Sequence, residues 1–262
     1  MFRFLLVALI IGSLFVPDNR NYTPVLSSSP FDKNSNKLLS ASPERKETIK
    51  NIRSSTFSVA VEFEEGEYSN VIGTGVYLID KNLGHIVLTA EHVAIAALKN
   101  RIRFCSIVSD DCVVMSNRPL LEADTGNLAS DWAVYVLEKP LKHMLPARTD
   151  NTSVDLGEDV WLIGHPRGNK AWISHGTVAA IYEHPEEKDY TLYGVHSFAA
   201  PGFSGGGVYT SLGQLIGITV AIHTDRSGAP QGESALVVPL ENVWLLKPSE
   251  RAQTPGKQES DQ

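Results

Sequence analysis

From residue 56 to residue 240 the apolar side chains come in short runs, and none keeps the three-to-four-residue spacing of a long amphipathic helix. The runs at 57–62, 71–80, 85–89, 101–108 and 132–137 are rich in Val, Ile, Tyr and Trp, as are those at 160–164, 172–183, 190–198, 205–210, 214–223 and 235–239. Such residues fit a pleated, half-buried surface, so each run is predicted to be a strand. Turn-forming clusters separate the runs, among them Lys81-Asn82-Leu83-Gly84, Glu138-Lys139-Pro140 and Ser211-Leu212-Gly213. Two stretches read as helical, 91–98 and 241–246. The polar, aperiodic stretch 141–157 divides the strands into two sets of about six. The expected fold is therefore all-β: two six-stranded antiparallel β-barrels, at 55–140 and 155–240, followed by a short C-terminal helix.

The ends read differently. One basic residue, Arg3, precedes an apolar stretch running to Val16, so 1–16 has the layout of a signal peptide or membrane anchor and implies export. As a helix it would reach ~20 Å, short of the ~30 Å hydrocarbon core of a bilayer. The segment 17–51 is expected to be a linker with a short helix near 43–53, opened by Ser42 as N-cap and Pro43 at the first helical position. The polar stretch 248–262, with Pro255, reads as a disordered tail.

Composition narrows the functional classes. The 262 residues are 42% hydrophobic and 20% charged, an ordinary globular balance. The net charge of −7 and the absence of a basic block exclude a nucleic-acid binder. No P-loop Lys-Ser/Thr pair follows the glycines at 205–207, and the histidines show no paired metal-ligand spacing, so neither a metal nor an organic cofactor is expected. Cys105 and Cys112 leave their pairing open. Export favours a bridge, whereas a turn centred on Asp110-Asp111 would set Cys105 opposite a residue near Ser116.

Three segments carry the chemistry. Leu88-Thr89-Ala90-Glu91-His92 puts a histidine where a strand gives way to a helical turn. Asp131 stands immediately before an apolar strand, and Ser204 sits in the loop Gly202-Phe203-Ser204-Gly205-Gly206-Gly207. A serine hydroxyl is a weak nucleophile and needs an adjacent base. Histidine titrates near neutrality and suits that role, while a buried aspartate fixes its tautomer. Glycines let the backbone turn sharply enough for the N–H groups of Gly202 and Ser204 to converge on one oxyanion.

In the order His, Asp, Ser these segments resemble the chymotrypsin-like (trypsin-like) serine proteases. The likeness is greatest to the Deg/HtrA-type protease domain. It extends over about 52–247 through Gly73-Thr74-Gly75-Val76, His85-Ile86-Val87-Leu88-Thr89, Leu162-Ile163-Gly164-His165-Pro166, Gly176-Thr177-Val178, Leu215-Ile216-Gly217-Ile218 and Val238-Pro239. The resemblance implies a serine endopeptidase with His92, Asp131 and Ser204 as catalytic residues and Gly202 and Ser204 as oxyanion donors. It places the pocket for the residue before the cut at Phe198, Ala199, Ala200, Pro201, Thr219, Val220, Ala221 and Ile222. None is charged, so a small or medium apolar side chain is expected there, unless Asp225 or Glu233 of the following loop enters the pocket.

Two departures stand out. The stretch after the last helix is too short for a PDZ domain, so none is expected. Phe203 occupies a position that is Asp in pancreatic-type enzymes, where it pairs with a newly cut N-terminus, and usually Asn in Deg-type ones. The expected partners are protein or peptide substrates, with a homo-oligomer and membrane attachment through the leader as further expectations. The alternative is a non-catalytic peptide-binding or chaperone-like module on the same fold. A small-ester hydrolase with a nucleophile elbow would need the opposite triad order. The remaining histidines read as structural or solvated, with His165 and His196 near the cleft, and the tryptophans as core or barrel-end packing.

Overall fold

A computed structural model describes residues 42–244, apart from 65–66, 98–99, 117–118, 123–127, 151–153, 184–190 and 225–229. The leader, the segment 17–41 and the tail 248–262 lie outside the described residues. The chain begins with helix α1 (Pro43–Ser54), where Ser42 Oγ accepts the N–H of Arg45 at 3.2 Å and Pro43 has no N–H to leave unpaired. Strands β1 (Thr56–Glu64), β2 (Glu67–Tyr68), β3 (Gly73–Asp80) and β4 (Gly84–Thr89) follow, then helix α2 (Glu91–Ala96). Next come β5 (Arg101–Ser106), β6 (Cys112–Met115), β7 (Leu121–Glu122), a 3-10 turn at Leu128–Ser130, and β8 (Ala133–Val136). The second half holds β9 (Asp159–Gly164), a 3-10 turn at Pro166–Gly168, β10 (Trp172–Glu183), β11 (Thr191–His196), β12 (Gly207–Thr210), β13 (Leu215–Thr224), β14 (Pro230–Pro239) and helix α3 (Leu240–Trp244).

The all-β expectation holds. The second half closes into a six-stranded barrel in the order β10-β11-β14-β13-β12-β9. The first half is a curled antiparallel sheet in the order β6-β5-β1-β3-β4-β8-β7, with β2 added beside β1. Its eight strands exceed the expected six because β2, β6 and β7, of two to four residues, are too short to show a period in sequence. The aromatic centre of this sheet is Phe57, Tyr77, Phe104 and Tyr135, with edge-on ring pairs from 5.1 to 6.4 Å. Its hydrophobic core continues without a break into Trp161, Ile163, Tyr209, Ile218 and Val238 of the second barrel, which fixes the two halves against each other. A separate cluster inside the second barrel includes Leu162, Val195, Phe203 and Val208.

Helix α1 staples the seam. Ile52 is buried, the Arg45 guanidinium lies 4.6 Å over the Trp161 ring, and a Cβ on Gly213 would touch Thr48. At its end Ser55 Oγ and Tyr209 Oη are 3.0 Å apart, and burial pushes the Tyr209 phenol up to about 12.

Cys105 and Cys112 form a disulfide and face each other across the β5–β6 pair. The turn is not centred on Asp110-Asp111. Ser106 Oγ accepts the N–H groups of Val108 and Ser109, and Ser106 N–H donates to Asp111 O at 2.8 Å, so the chain reverses two residues earlier. That shift exchanges Ser116 for Cys112 as the partner of Cys105. Because the closed loop is short, the Cys105→Ser/Cys112→Ser double variant should fold and lose about 2 kcal/mol of stability in urea titration, with no further loss on adding reductant.

Candidate active site

The register of two neighbouring strands brings the first two site residues together. β4 and β8 are antiparallel with Thr89 opposite Ala133, so the exit of β4 and the entry of β8 share one end of the sheet. His92 lies just past that exit, at the second residue of α2, and Asp131 just before that entry. The Asp131 carboxylate takes both hydrogen bonds His92 offers: Nδ1–H donates to Oδ2 at 2.6 Å, and the backbone N–H donates to Oδ1 at 3.0 Å. Both oxygens are thereby used, and the imidazole is held in the tautomer whose Nε2 bears a lone pair. Asp131 is nearly buried, with its side chain 13% exposed, whereas His92 keeps 33% of its side chain in solvent.

The loop 202–207 reaches the same place from the second barrel. Thr74 N–H donates to Ser204 O at 2.8 Å, and Gly205 N–H donates to Thr219 O at 2.7 Å. On either side of Ser204 the approach is close. A Cβ on Gly205 would overlap Thr74 O and Thr89 Oγ1, and one on Gly73, beneath Ser204 O, would strike Val93. Thr89 and Val93 bracket His92, so Ser204 is packed against the segment that carries the imidazole. Among the described residues, no hydrogen bond joins Ser204 Oγ to His92. Such contacts are often long in ligand-free sites and tighten around substrate.

Peptide orientations in the loop follow from their partners. Pro201 O accepts from Arg167 N–H at 2.7 Å, and Phe203 O from Gly206 N–H at 2.7 Å. All peptides among the described residues are trans, so the N–H groups of Gly202 and Ser204 point away from those two carbonyls. Gly202 has φ 100° and no room for a Cβ, since His165 O occupies that space.

Of the pocket positions, Thr219 and Val220 are buried, Ala221 and Ile222 are half-buried, and Phe198 is 40% exposed. Thr219 sits beside the loop by accepting from Gly205 and donating to Gly206 O at 2.8 Å. Thr219 Oγ1 is buried and has no hydrogen-bond partner among the described residues. Ala199 and Ala200 pack against the second barrel's core. Asp225 and the Glu233 side chain lie outside the described residues.

Phe203 has a physical account. Its ring is fully buried in the second barrel's core, edge-on to Phe198 at 5.9 Å, and it fills the space a side chain at Gly164 would need. Trp132 and Trp161 are buried as expected. Trp172, the first residue of β10 and opposite Gly164 at the end of β9, is 54% exposed and lays its ring 5.6 Å from Phe198, a packing at the barrel's end. His196 is exposed, His175 lies 3.6 Å from Asp159, and His165 is buried. No group of three or more potential metal-ligating side chains occurs among the described residues, and no helix among them is long and apolar enough to cross a membrane.

One supporting residue escaped the sequence. Asn242, on α3, is fully buried and donates from Nδ2 to Ala129 O and Thr191 O, both at 2.9 Å. It ties the turn before Asp131 to the second barrel. A polar residue on the inward face of a short terminal helix was the only signal available.

Residues 73–218, more than half of the chain, match the trypsin-like peptidase domain family. Solved structures share the fold. An HtrA-type protease, AlgW, in a serine-to-alanine variant with a tripeptide, superposes with a TM-score of 0.59 and 18% identity, over 77% of this chain and 62% of that one. AlgW with a tripeptide gives 0.56 and 20%, over 75% and 60%. The inactive form of Rv3671c from M. tuberculosis H37Rv gives 0.54 and 16%, over 79% and 92%. The chain thus spans about six tenths of the AlgW structures. No curated protein matches the sequence.

Two outcomes follow from the buried groups. Burial lowers the His165 pKa to about 4, so the unfolded chain binds the extra proton between pH 4 and 6.5 and the folded protein does not. The stability tied to this neutral imidazole is complete above pH 6.5 and falls by about 2–3 kcal/mol as pH drops toward 4. Urea titrations at pH 7 and 4.5 should show that loss in the wild type and a smaller one in His165→Asn. Phe203→Ala should cost about 3–5 kcal/mol in the same assay.

Proposed function

The chain belongs to the trypsin-like peptidase family, and on that premise we propose that it is a serine endopeptidase acting through an acyl-enzyme intermediate. The observation that carries the proposal is the paired hydrogen bonding of His92 to Asp131 beside the loop of Ser204. Ser204 Oγ attacks the scissile carbonyl carbon as His92 Nε2 takes its proton, and the carbonyl oxygen becomes an oxyanion facing the N–H groups of Gly202 and Ser204. The imidazolium, stabilised by the Asp131 carboxylate, returns that proton to the leaving amine as the C–N bond breaks. Water then attacks the ester, with His92 again accepting a proton, and the acid product leaves with Ser204 Oγ–H restored.

Protein or peptide substrates suit this reading, as two of the similar AlgW structures hold a tripeptide. The uncharged positions 198–201 and 219–222 favour an apolar residue before the cut. The Cys105–Cys112 disulfide supports the export implied by the apolar leader, since thiols stay reduced in the cytosol.

A fluorophosphonate probe should label the purified wild type and leave Ser204→Ala unlabelled. Asp131→Asn should lower kcat by about 10⁴, as loss of the orienting carboxylate does in triads of this type. Unlabelled, folded wild type that also fails to digest casein would assign the fold to peptide binding instead. In a panel of chromogenic peptides, apolar residues before the cut should be turned over fastest, and preference for Lys or Arg would refute the pocket assignment.

A further inference from the structure

His165 is a buried polar side chain that the chemistry above does not use, yet it reaches the loop of the nucleophile. It is 3% exposed, and its Nδ1 lies 3.0 Å from Thr74 Oγ1. Thr74 Oγ1 lies in turn 2.8 Å from Gly202 O. A carbonyl only accepts, so the single hydroxyl proton of Thr74 goes to Gly202 O. The hydroxyl oxygen must then accept from His165, which places the imidazole hydrogen on Nδ1. Backbone groups of the same two residues repeat the grip: His165 N–H donates to Gly202 O at 3.2 Å, and Thr74 N–H donates to Ser204 O at 2.8 Å.

The consequence falls on Gly202, whose two flanking peptides are both held. The preceding one is fixed by Arg167 N–H on Pro201 O at 2.7 Å, and the following one by the Thr74 hydroxyl and His165 N–H on Gly202 O. Arg167 itself adopts φ 52°, a left-handed conformation unusual for a side-chain-bearing residue, to deliver that N–H. Rotation of the preceding peptide would swing the Gly202 N–H out of line with that of Ser204, and the grip on Gly202 O fixes the Gly202–Phe203 peptide that links the two donors.

We propose that His165 and Thr74 are positioning residues for the oxyanion site: the His165 Nδ1–H holds the Thr74 hydroxyl in the rotamer from which it fixes the Gly202 peptide. This rests on the peptidase reading above. Thr74 comes from the first sheet and His165 from the second barrel, so the pair sets the peptide between the Gly202 and Ser204 N–H groups only when the halves are docked.

The test compares variants that lose a donor with variants that keep one. Thr74→Val and His165→Leu should lower kcat on a chromogenic peptide about 100-fold with KM within about threefold, and should slow fluorophosphonate labelling to match. Thr74→Ser and His165→Asn, which retain a hydroxyl and an N–H donor, should recover most of the rate. The double variant Thr74→Val/His165→Leu should be no slower than Thr74→Val alone, because the two act in series. Nitrogen-15 NMR of the His165 ring should show hydrogen on Nδ1 in the wild type. Unchanged kcat in Thr74→Val, failure of folded Thr74→Ser and His165→Asn to restore the rate, or hydrogen on Nε2 alone would overturn the proposal. Should the Val and Leu variants not fold, the conservative pair and the ring spectrum decide. Inactive, unlabelled wild type would overturn the peptidase reading and this inference with it, whereas active wild type with indifferent variants would overturn only the inference.

Discussion

The site depends on a contact in which only hydrogen fits. At Gly205 the loop of the second barrel lies so close to Thr74 O and Thr89 Oγ1 of the first sheet that a methyl group would overlap both. Gly73, beneath Ser204 O, meets Val93 in the same way. Two antiparallel barrels present convex, side-chain-covered surfaces, and backbones carrying ordinary residues would stand several ångströms further apart. Glycine on both sides of the seam removes that spacing. The loop can then exchange backbone hydrogen bonds with the opposing half, through Thr74 N–H to Ser204 O. The seam therefore holds the Ser204 loop against the segment that carries His92 and also contributes to the continuous core that joins the halves.

Support for this contact comes from both ends of the described chain. Helix α1 crosses the seam through Ile52, Arg45 on Trp161 and the Ser55–Tyr209 pair. Helix α3 crosses it through Asn242, which binds Ala129 O two residues before Asp131. Each half supplies part of the site and each terminal helix holds the other half in place. The carboxylate and imidazole come from the first sheet, and the hydroxyl from the second barrel. Either half alone therefore lacks part of the set of side chains.

The sequence revealed the three site segments because each is a local signal: a histidine at a strand end, an aspartate before an apolar run, a serine among glycines. The strand runs were equally plain where β-branched residues cluster. What escaped notice lies in partnerships across the chain. Asn242 acts on a carbonyl 113 residues away, and Thr74 on one 128 residues away, and neither leaves a pattern along the chain. Strand β6 was missed because four residues are too few for alternation to stand out. The Cys105–Cys112 pairing stays open in the sequence because the paired aspartates offer one turn centre, whereas the Ser106 hydroxyl, by taking two backbone N–H groups, sets it earlier. Turn chemistry of this kind depends on a side chain's rotamer as well as its identity.

Phe203 shows how a departure from a family pattern can be read physically. An acidic residue before the nucleophile needs a cation, and one furnished by a new N-terminus makes the loop conditional on cleavage. A phenyl ring needs only apolar surroundings, which the second barrel supplies at Gly164 and Phe198 as it folds. Burying the ring stabilises the loop by about 2–3 kcal/mol, comparable with a charge-assisted hydrogen bond and free of its desolvation cost. The backbone partners of Pro201, Gly202, Phe203 and Ser204 are all in place around it. The shape of the loop is thus specified by packing and by the polypeptide's own donors, and the energy that orders it belongs to folding itself.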